Sequence, residues 1–298
     1  MATITKIPGF GDYGIYVDGV DFDHMSVDEW AEWGKLHIKT CVTIFRNTNC
    51  TPDKFKTFNH TFGRAHNGSF YRYLKKYNIK VDKSLAPLEG TNLAWQNLHQ
   101  VADEADMRIL REIADISAMP NVQRVTGKRY NDGRRMGIFA EGELLWHSNE
   151  SGQLVNNPGV FLLAMENVVG SSTGFCITVN WYNAQTEAFR SELDEMIMEH
   201  DFVPGRMNPG LNETQDSMMR TNFSPVPEDI PLVIHSPGGL RGLHFSPHTI
   251  CRVKGMPQAE SDRLIDRIKF ELLQEPHIYD HWYQNTGDLL LFDNSITL

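Results

Sequence analysis

The sequence predicts a mainly β fold with helices packed outside it, a double-stranded β-helix (jelly roll) core. Three observations carry this. Short runs rich in β-branched, aromatic and other apolar residues recur along the chain, at Val42–Phe45, Val160–Met165, Phe175–Val179 and Leu289–Phe292. Few segments show helical periodicity, the clearest being Gln258–Glu275, with Leu264, Ile268 and Leu272 at four-residue steps. A length of 298 residues is ample for one large buried core. Many strands and few helices in one chain of this length fit a jelly roll with peripheral helices.

Taken in order, Val27–Leu36 reads as a helix with Ser26 as its N-cap. Val42–Phe45 is a strand. Thr51 can cap a second helix, and Pro52 suits its first turn. The segment 65–122 reads as an insertion or lid within a single domain spanning 1–298. It carries the basic-aromatic patch Tyr71-Arg72-Tyr73-Leu74-Lys75-Lys76-Tyr77, which is either a solvated surface or a loop that presents cations to an anionic substrate. A helix is expected over Val101–Ile116, with Met107, Leu110, Ile113 and Ile116 on its apolar side. Too short for a core of its own, this segment calls for a partner surface, either the barrel mouth or a second subunit in a homo-oligomer. Ala184–His200 is read as helical. Ile230–Phe245 is read as a hairpin turned at Pro237-Gly238-Gly239.

Composition excludes several classes. No apolar stretch approaches the ~20 residues needed to span a bilayer, and the start, Met1-Ala2-Thr3-Ile4-Thr5-Lys6, lacks the pattern of a secretory signal. A net charge of −10 argues against a general nucleic-acid binder, which needs clustered Lys and Arg. The four cysteines, Cys41, Cys50, Cys176 and Cys251, are scattered without a Cys-x-x-Cys pair. They read as free thiols in a reducing cytoplasm. A Gly-rich phosphate loop, Gly-x-Ser-x-Gly and His-Glu-x-x-His are all absent, which removes the common nucleotide, serine hydrolase and zinc protease readings.

The segment Gly142-Glu143-Leu144-Leu145-Trp146-His147-Ser148-Asn149-Glu150 carries the most chemistry. On a strand, residues two apart share a face. His147 and Asn149 can then offer a nitrogen and an oxygen to one metal ion. That is the first half of a two-His-one-carboxylate set, except that the carboxylate position holds a neutral amide. Glu150 faces the other side unless a bulge re-aims it.

The surrounding text resembles the taurine dioxygenase and 2,4-dichlorophenoxyacetate dioxygenase (TauD/TfdA-like) family of Fe(II)/2-oxoglutarate-dependent oxygenases. The resemblance runs in order through Val17-Asp18-Gly19-Val20-Asp21, Cys41–Arg46, Thr51–Phe55 and Phe62-Gly63-Arg64. It continues through Gly142-Glu143-Leu144 before Trp146-His147-Ser148, then Gly170-Ser171-Ser172-Thr173-Gly174-Phe175, then Gly287-Asp288-Leu289 through Phe292-Asp293-Asn294-Ser295. It implies a jelly-roll oxygenase that takes Fe(II) as metal and 2-oxoglutarate as co-substrate. His147 and Asn149 fall on metal-ligand positions. Thr173 falls on the threonine that hydrogen-bonds 2-oxoglutarate, and His66 in a region of substrate contacts. Each has a plainer reading beside it: a strand-end histidine, a strand threonine, an exposed loop histidine. Trp146 reads as a core aromatic or one behind the metal ligand. The family's distal histidine and 2-oxoglutarate arginine are due just past Leu298, so the chain is expected to be truncated at its C-terminus.

Asn149 leaves three accounts open: a weak natural ligand, an open slot for a halide as in halogenating relatives of this chemistry, or lost metal chemistry. The leading expectation is a dioxygenase that hydroxylates a small, anionic organic substrate. A halogenase and a catalytically silent jelly-roll binding protein are the alternatives.

Overall fold

In the computed structural model the described residues are 2–62, 73–85, 87–107, 114–115, 119–123, 145–149, 151, 159–166, 168–201 and 229–298. The chain divides into two compact units, one of residues 1–51, 145–207 and 224–298, the other of residues 52–144 and 208–223.

The larger unit is built on a five-stranded sheet. Its strands are β1 (Thr3–Lys6), β2 (Gly14–Asp18), β3 (Val42–Arg46), β6 (Gly159–Leu163) and β14 (Leu289–Asp293), in the order β1-β2-β3-β14-β6. β14 pairs antiparallel with both neighbours, Leu289 lying opposite Phe45 and Leu163, and Phe292 opposite Val42 and Val160. All five of its residues are buried. Covered on both faces, it reads as an unbroken apolar run rather than an alternating one. Leu290 joins Val42, Ile44, Phe175, Ile177 and Phe292 in one core cluster, where Phe175 meets Phe292 edge-on at 5.3 Å.

Before β14, Gly287 has φ 89°, and a Cβ there would lie 2.3 Å from the Thr48 carbonyl oxygen. Only glycine fits. Asp288 follows, buried, its Oδ1 accepting from the Asn47 backbone N–H at 2.7 Å and its Oδ2 2.9 Å from His281 Nε2. The Gly-Asp pair thus stitches the start of β14 to the end of β3 and to β13 (Ile278–Trp282). Strand β13 pairs in turn with β7 (Ser172–Cys176), placing His281 opposite Thr173.

A second core cluster holds Trp181, Tyr182, Leu193, Met198, Leu243, Phe245, Ile265, Ile268 and Leu272. These come from helices α4 (Thr178–Ala184), α5 (Glu187–Asp194) and α6 (Gln258–Leu272), from strand β8 (Ile197–His200), and from the hairpin of β10 (Val233–His235) and β11 (Arg241–Leu243) with its flank. β8 lies between β9 (Asp229–Pro231) and β12 (Ile250–Val253). The hairpin turns through 236–240, Gly239 N–H donating to the Ser236 carbonyl with φ 83° at Gly239, as the Pro-Gly-Gly run predicted.

Helix α1 (Val27–His37) starts where expected. Ser26 accepts from Glu29 N–H while the Glu29 carboxylate accepts from Ser26 N–H, a reciprocal capping box. The smaller unit contains α2 (Pro52–Phe62), α3 (Pro87–Val101) and the short strands β4 (Ala114–Asp115) and β5 (Met119–Gln123).

Three expectations are corrected. The helix expected over Val101–Ile116 is met only in part. α3 already ends at Val101, and a new helical stretch at 104–107 starts with Asp103 Oδ1 accepting from Asp106 N–H. Residues 108–113 lie outside the described residues, and Ala114–Asp115 is a strand. The helix expected over Ala184–His200 ends at Asp194, and Ile197–His200 is a strand with alternating burial. The strand expected over Phe175–Val179 stops at Cys176, because Thr178 begins α4.

The mainly β architecture with helices outside agrees with the sequence. Among the described residues the strands form open sheets and do not close a barrel. Also among them, no helix is long and apolar enough to cross a membrane. Cys41, Cys50 and Cys176 are buried free thiols, and Cys251 is half-buried.

Candidate metal and co-substrate site

Residues 145–149 are not a strand. They form a short strap, tied along its length to the larger unit. Trp146 lies on Gly174 of β7, where an added Cβ would sit 2.9 Å from the indole Cη2 and 2.9 Å from Asp280 Oδ1. Ser148 Oγ donates to the Thr297 carbonyl at 3.2 Å. Asn149 N–H donates to Asn294 Oδ1 at 2.8 Å, and Asn294 Nδ2 donates to the Asn149 carbonyl at 2.8 Å. Glu150, weighed as a re-aimed ligand, lies outside the described residues.

Although the strand expectation fails, the two side chains meet. His147 Nε2 is 3.2 Å from Asn149 Oδ1. His147 Nδ1 is 2.7 Å from the Leu145 carbonyl oxygen, which can only accept. Nδ1 therefore carries the proton, and the Nε2 lone pair faces the amide. Burial lowers the His147 pKa, opposed by the Leu145 and Asn149 contacts. The ring is thus held neutral, the form that binds metal.

Two acceptors 3.2 Å apart repel unless a cation lies between them or the amide turns its Nδ2–H toward Nε2. Metal–ligand bonds of about 2.1 Å at right angles put adjacent donors about 3.0 Å apart. The Nε2–Oδ1 pair therefore has the spacing of one edge of an octahedral site, and these two residues fit the Fe(II) that the resemblance implies. Among the described residues, no group of three His, Cys, Asp or Glu side chains could hold a metal.

Thr173 sits on β7 one residue before Gly174, and its Oγ1 is 2.7 Å from the Tyr283 hydroxyl. Burial pushes the Tyr283 phenol up to about 12. Behind it lies the buried His281–Asp288 pair, with the His281 ring 5.0 Å from Tyr283. His66 lies outside the described residues, as do Tyr71 and Arg72 of the basic-aromatic patch. In the rest of that patch Tyr73 and Leu74 are buried, and Lys76 pairs with Asp106 at 2.5 Å. Lys76 is thus engaged within its own unit, while Lys75 is exposed.

Two features escaped the sequence. Asn294 was visible only as part of a motif, and its grip on residue 149 has no local signal. His200 and His244 are buried with ring centroids 5.9 Å apart. Desolvation, helped by His244, pulls His200 down to about 3. Their Nε2 atoms and Ser246 Oγ have no hydrogen-bond partner among the described residues.

A family model described as taurine catabolism dioxygenase TauD, TfdA family matches residues 3–298. The chain is 32% identical over 226 residues to the alpha-ketoglutarate-dependent 2,4-dichlorophenoxyacetate dioxygenase of Cupriavidus pinatubonensis, covering 74% of this chain and 72% of the relative. It is 26% identical over 228 residues to the (S)-phenoxypropionate/alpha-ketoglutarate-dioxygenase of Sphingobium herbicidovorans, covering 73% and 78%. Its fold resembles that of AAD-2, solved in complex with Mn(II) and N-oxalylglycine, with TM-score 0.63, 17% identity, and coverage of 100% of this chain and 89% of that one. A taurine dioxygenase from Burkholderia xenovorans matches with TM-score 0.61, 16% identity, and coverage of 99% and 81%. The sheet-and-helix fold is therefore that of these dioxygenases, and the family match runs through the strap, β7 and β14 alike. The chain belongs to the TauD/TfdA family and is an alpha-ketoglutarate-dependent dioxygenase, an enzyme that uses Fe(II) and 2-oxoglutarate on a small-molecule substrate.

Proposed function

We propose that this enzyme hydroxylates a small anionic substrate of the aryloxyalkanoate kind, with His147 and Asn149 supplying two of the metal's ligands. The observation that carries the site is the 3.2 Å edge between Nε2 and Oδ1. The substrate class rests on the two curated relatives, whose names specify 2,4-dichlorophenoxyacetate and (S)-phenoxypropionate. Bound Fe(II) supplies the redox chemistry that couples decarboxylation of 2-oxoglutarate to insertion of one oxygen atom of O₂ into a C–H bond.

The chain's own part is to bind and orient. Leu145 fixes the His147 tautomer through Nδ1, which aims the Nε2 lone pair. Asn149 presents a neutral oxygen, so the site holds its cation with one charge less than a carboxylate would supply. Thr173, whose Oγ1 is 2.7 Å from the Tyr283 hydroxyl, offers a hydroxyl to the 2-oxoglutarate carboxylate. An amide oxygen already beside Nε2 favours Asn149 as a ligand over an open halide slot.

The test is succinate release from 2-oxoglutarate under air, with Fe(II), across phenoxyacetate, phenoxypropionate and taurine. Substrate-dependent succinate with the phenoxy acids supports the reading. Turnover with taurine alone contradicts the substrate class. Succinate release with none of the three contradicts the reading as a whole.

A further inference from the structure

We infer that Asn294 is a positioning residue for the metal site, one that sets where the Asn149 oxygen stands. The inference rests on the reading of Asn149 as a ligand. Asn294 is fully buried, one residue past the end of β14. Its side-chain amide copies a strand: Oδ1 accepts from Asn149 N–H and Nδ2 donates to the Asn149 carbonyl, both at 2.8 Å. Both backbone polar groups of one residue are thus held by one rigid planar group. This fixes the 149 peptide against the most buried strand of the sheet.

Trp146 also lies on Gly174, Ser148 Oγ donates to the Thr297 carbonyl, and Ser151 N–H donates back to the Ser148 carbonyl at 3.3 Å, a turn with Asn149 inside it. The turn sets the local bend. The double hydrogen bond anchors that bend to the residue after β14, and so sets the point from which the Asn149 side chain reaches toward His147 Nε2. A neutral amide ligand gains little from charge attraction, so its affinity depends on being pre-placed. Any residue but proline at 149 presents the same backbone groups, so the clasp acts through geometry and not through side-chain identity.

The experiment is a double-mutant cycle on the full chain, read by titration with Co(II) alone, which takes nitrogen and oxygen donors and absorbs visible light. Asn294→Ala should raise the Co(II) Kd about 10–100-fold, the usual cost of losing a group that orients a ligand. In an Asn149→Ala background the same change should alter Kd by no more than about twofold. A residue with a merely structural role would weaken binding equally in both backgrounds, and that result overturns the inference, as does an unchanged Kd in Asn294→Ala. If Asn149→Ala alone leaves Kd unchanged, the ligand reading itself fails, a separate outcome. Should Asn294→Ala not fold, amide exchange in the parent decides: the Asn149 N–H should be as protected as the β14 amides, and rapid exchange there overturns the clasp.

Discussion

Asp293 closes β14 with a carboxyl that is only 6% exposed. Burial raises its pKa from 3.8 to about 6, against hydrogen bonds from Ser295, Ser236 and the Ile296 N–H that favour the charged form. The Ser295 N–H donates to Oδ1 at 2.9 Å. Folding thus favours the protonated acid. Below pH about 4 the carboxyl is neutral in folded and unfolded chains alike, and its contribution to stability is complete. As pH rises toward 6 the unfolded chain ionises while the folded chain keeps its proton, so stability falls. Above 6 the loss levels off at about 3 kcal/mol, a gap of about 2 in pKa at 1.36 kcal/mol each. Asp293→Asn keeps the shape and the Oδ1 acceptor but cannot ionise. The charge-assisted bonds that it forgoes are worth about 1–2 kcal/mol. The variant should therefore be more stable than the parent by roughly 1–2 kcal/mol at pH 8, and should lose that advantage by pH 4. Urea unfolding at intervals from pH 4 to 8 measures it. Parallel stability curves for the two proteins would refute the reasoning.

Two further outcomes follow from the packing. His200 is held neutral with its pKa near 3, and His37 likewise near 4, both by burial. Their contribution is fully present above pH 6.5 and is lost as pH falls through that range, by on the order of 5 and 3 kcal/mol. His200→Gln should flatten the acid limb of the urea midpoint between pH 6.5 and 3, and an unchanged limb would count against it. Gly174→Ala would drive a methyl to 2.9 Å from both Trp146 and Asp280, costing about 1–3 kcal/mol in urea unfolding. It should also weaken Co(II) binding as the strap shifts, so stability loss with unaltered Co(II) affinity would separate Trp146 from the site.

Local patterns were legible in the sequence and non-local ones were not. The Gln258–Leu272 helix followed from its four-residue apolar period, α1 from the Ser26 cap, and β14 from its unbroken apolar run. β8 was missed because the helical reading of Ala184–Asp194 was carried through it, although Ile197–His200 alternates in burial with period two. The His147–Asn149 meeting was expected from strand geometry, yet it is made by a bent strap whose shape depends on Asn294, Thr297 and Gly174, all distant in sequence. The pairing of His200 with His244 left no mark, since each histidine stands alone in its own segment. Asp288 was recognised as part of a motif, but its role in joining β3, β13 and β14 required the fold.

The most direct measurement of the central claim is anaerobic Fe(II) titration followed by 2-oxoglutarate-dependent succinate release, on the parent, His147→Ala and Asn149→Asp. The account predicts that His147→Ala abolishes both. It predicts that Asn149→Asp binds Fe(II) at least about tenfold more tightly, about 1.4 kcal/mol from the restored negative charge. Fe(II) affinity unaffected by His147→Ala, or weakened by Asn149→Asp, would contradict it.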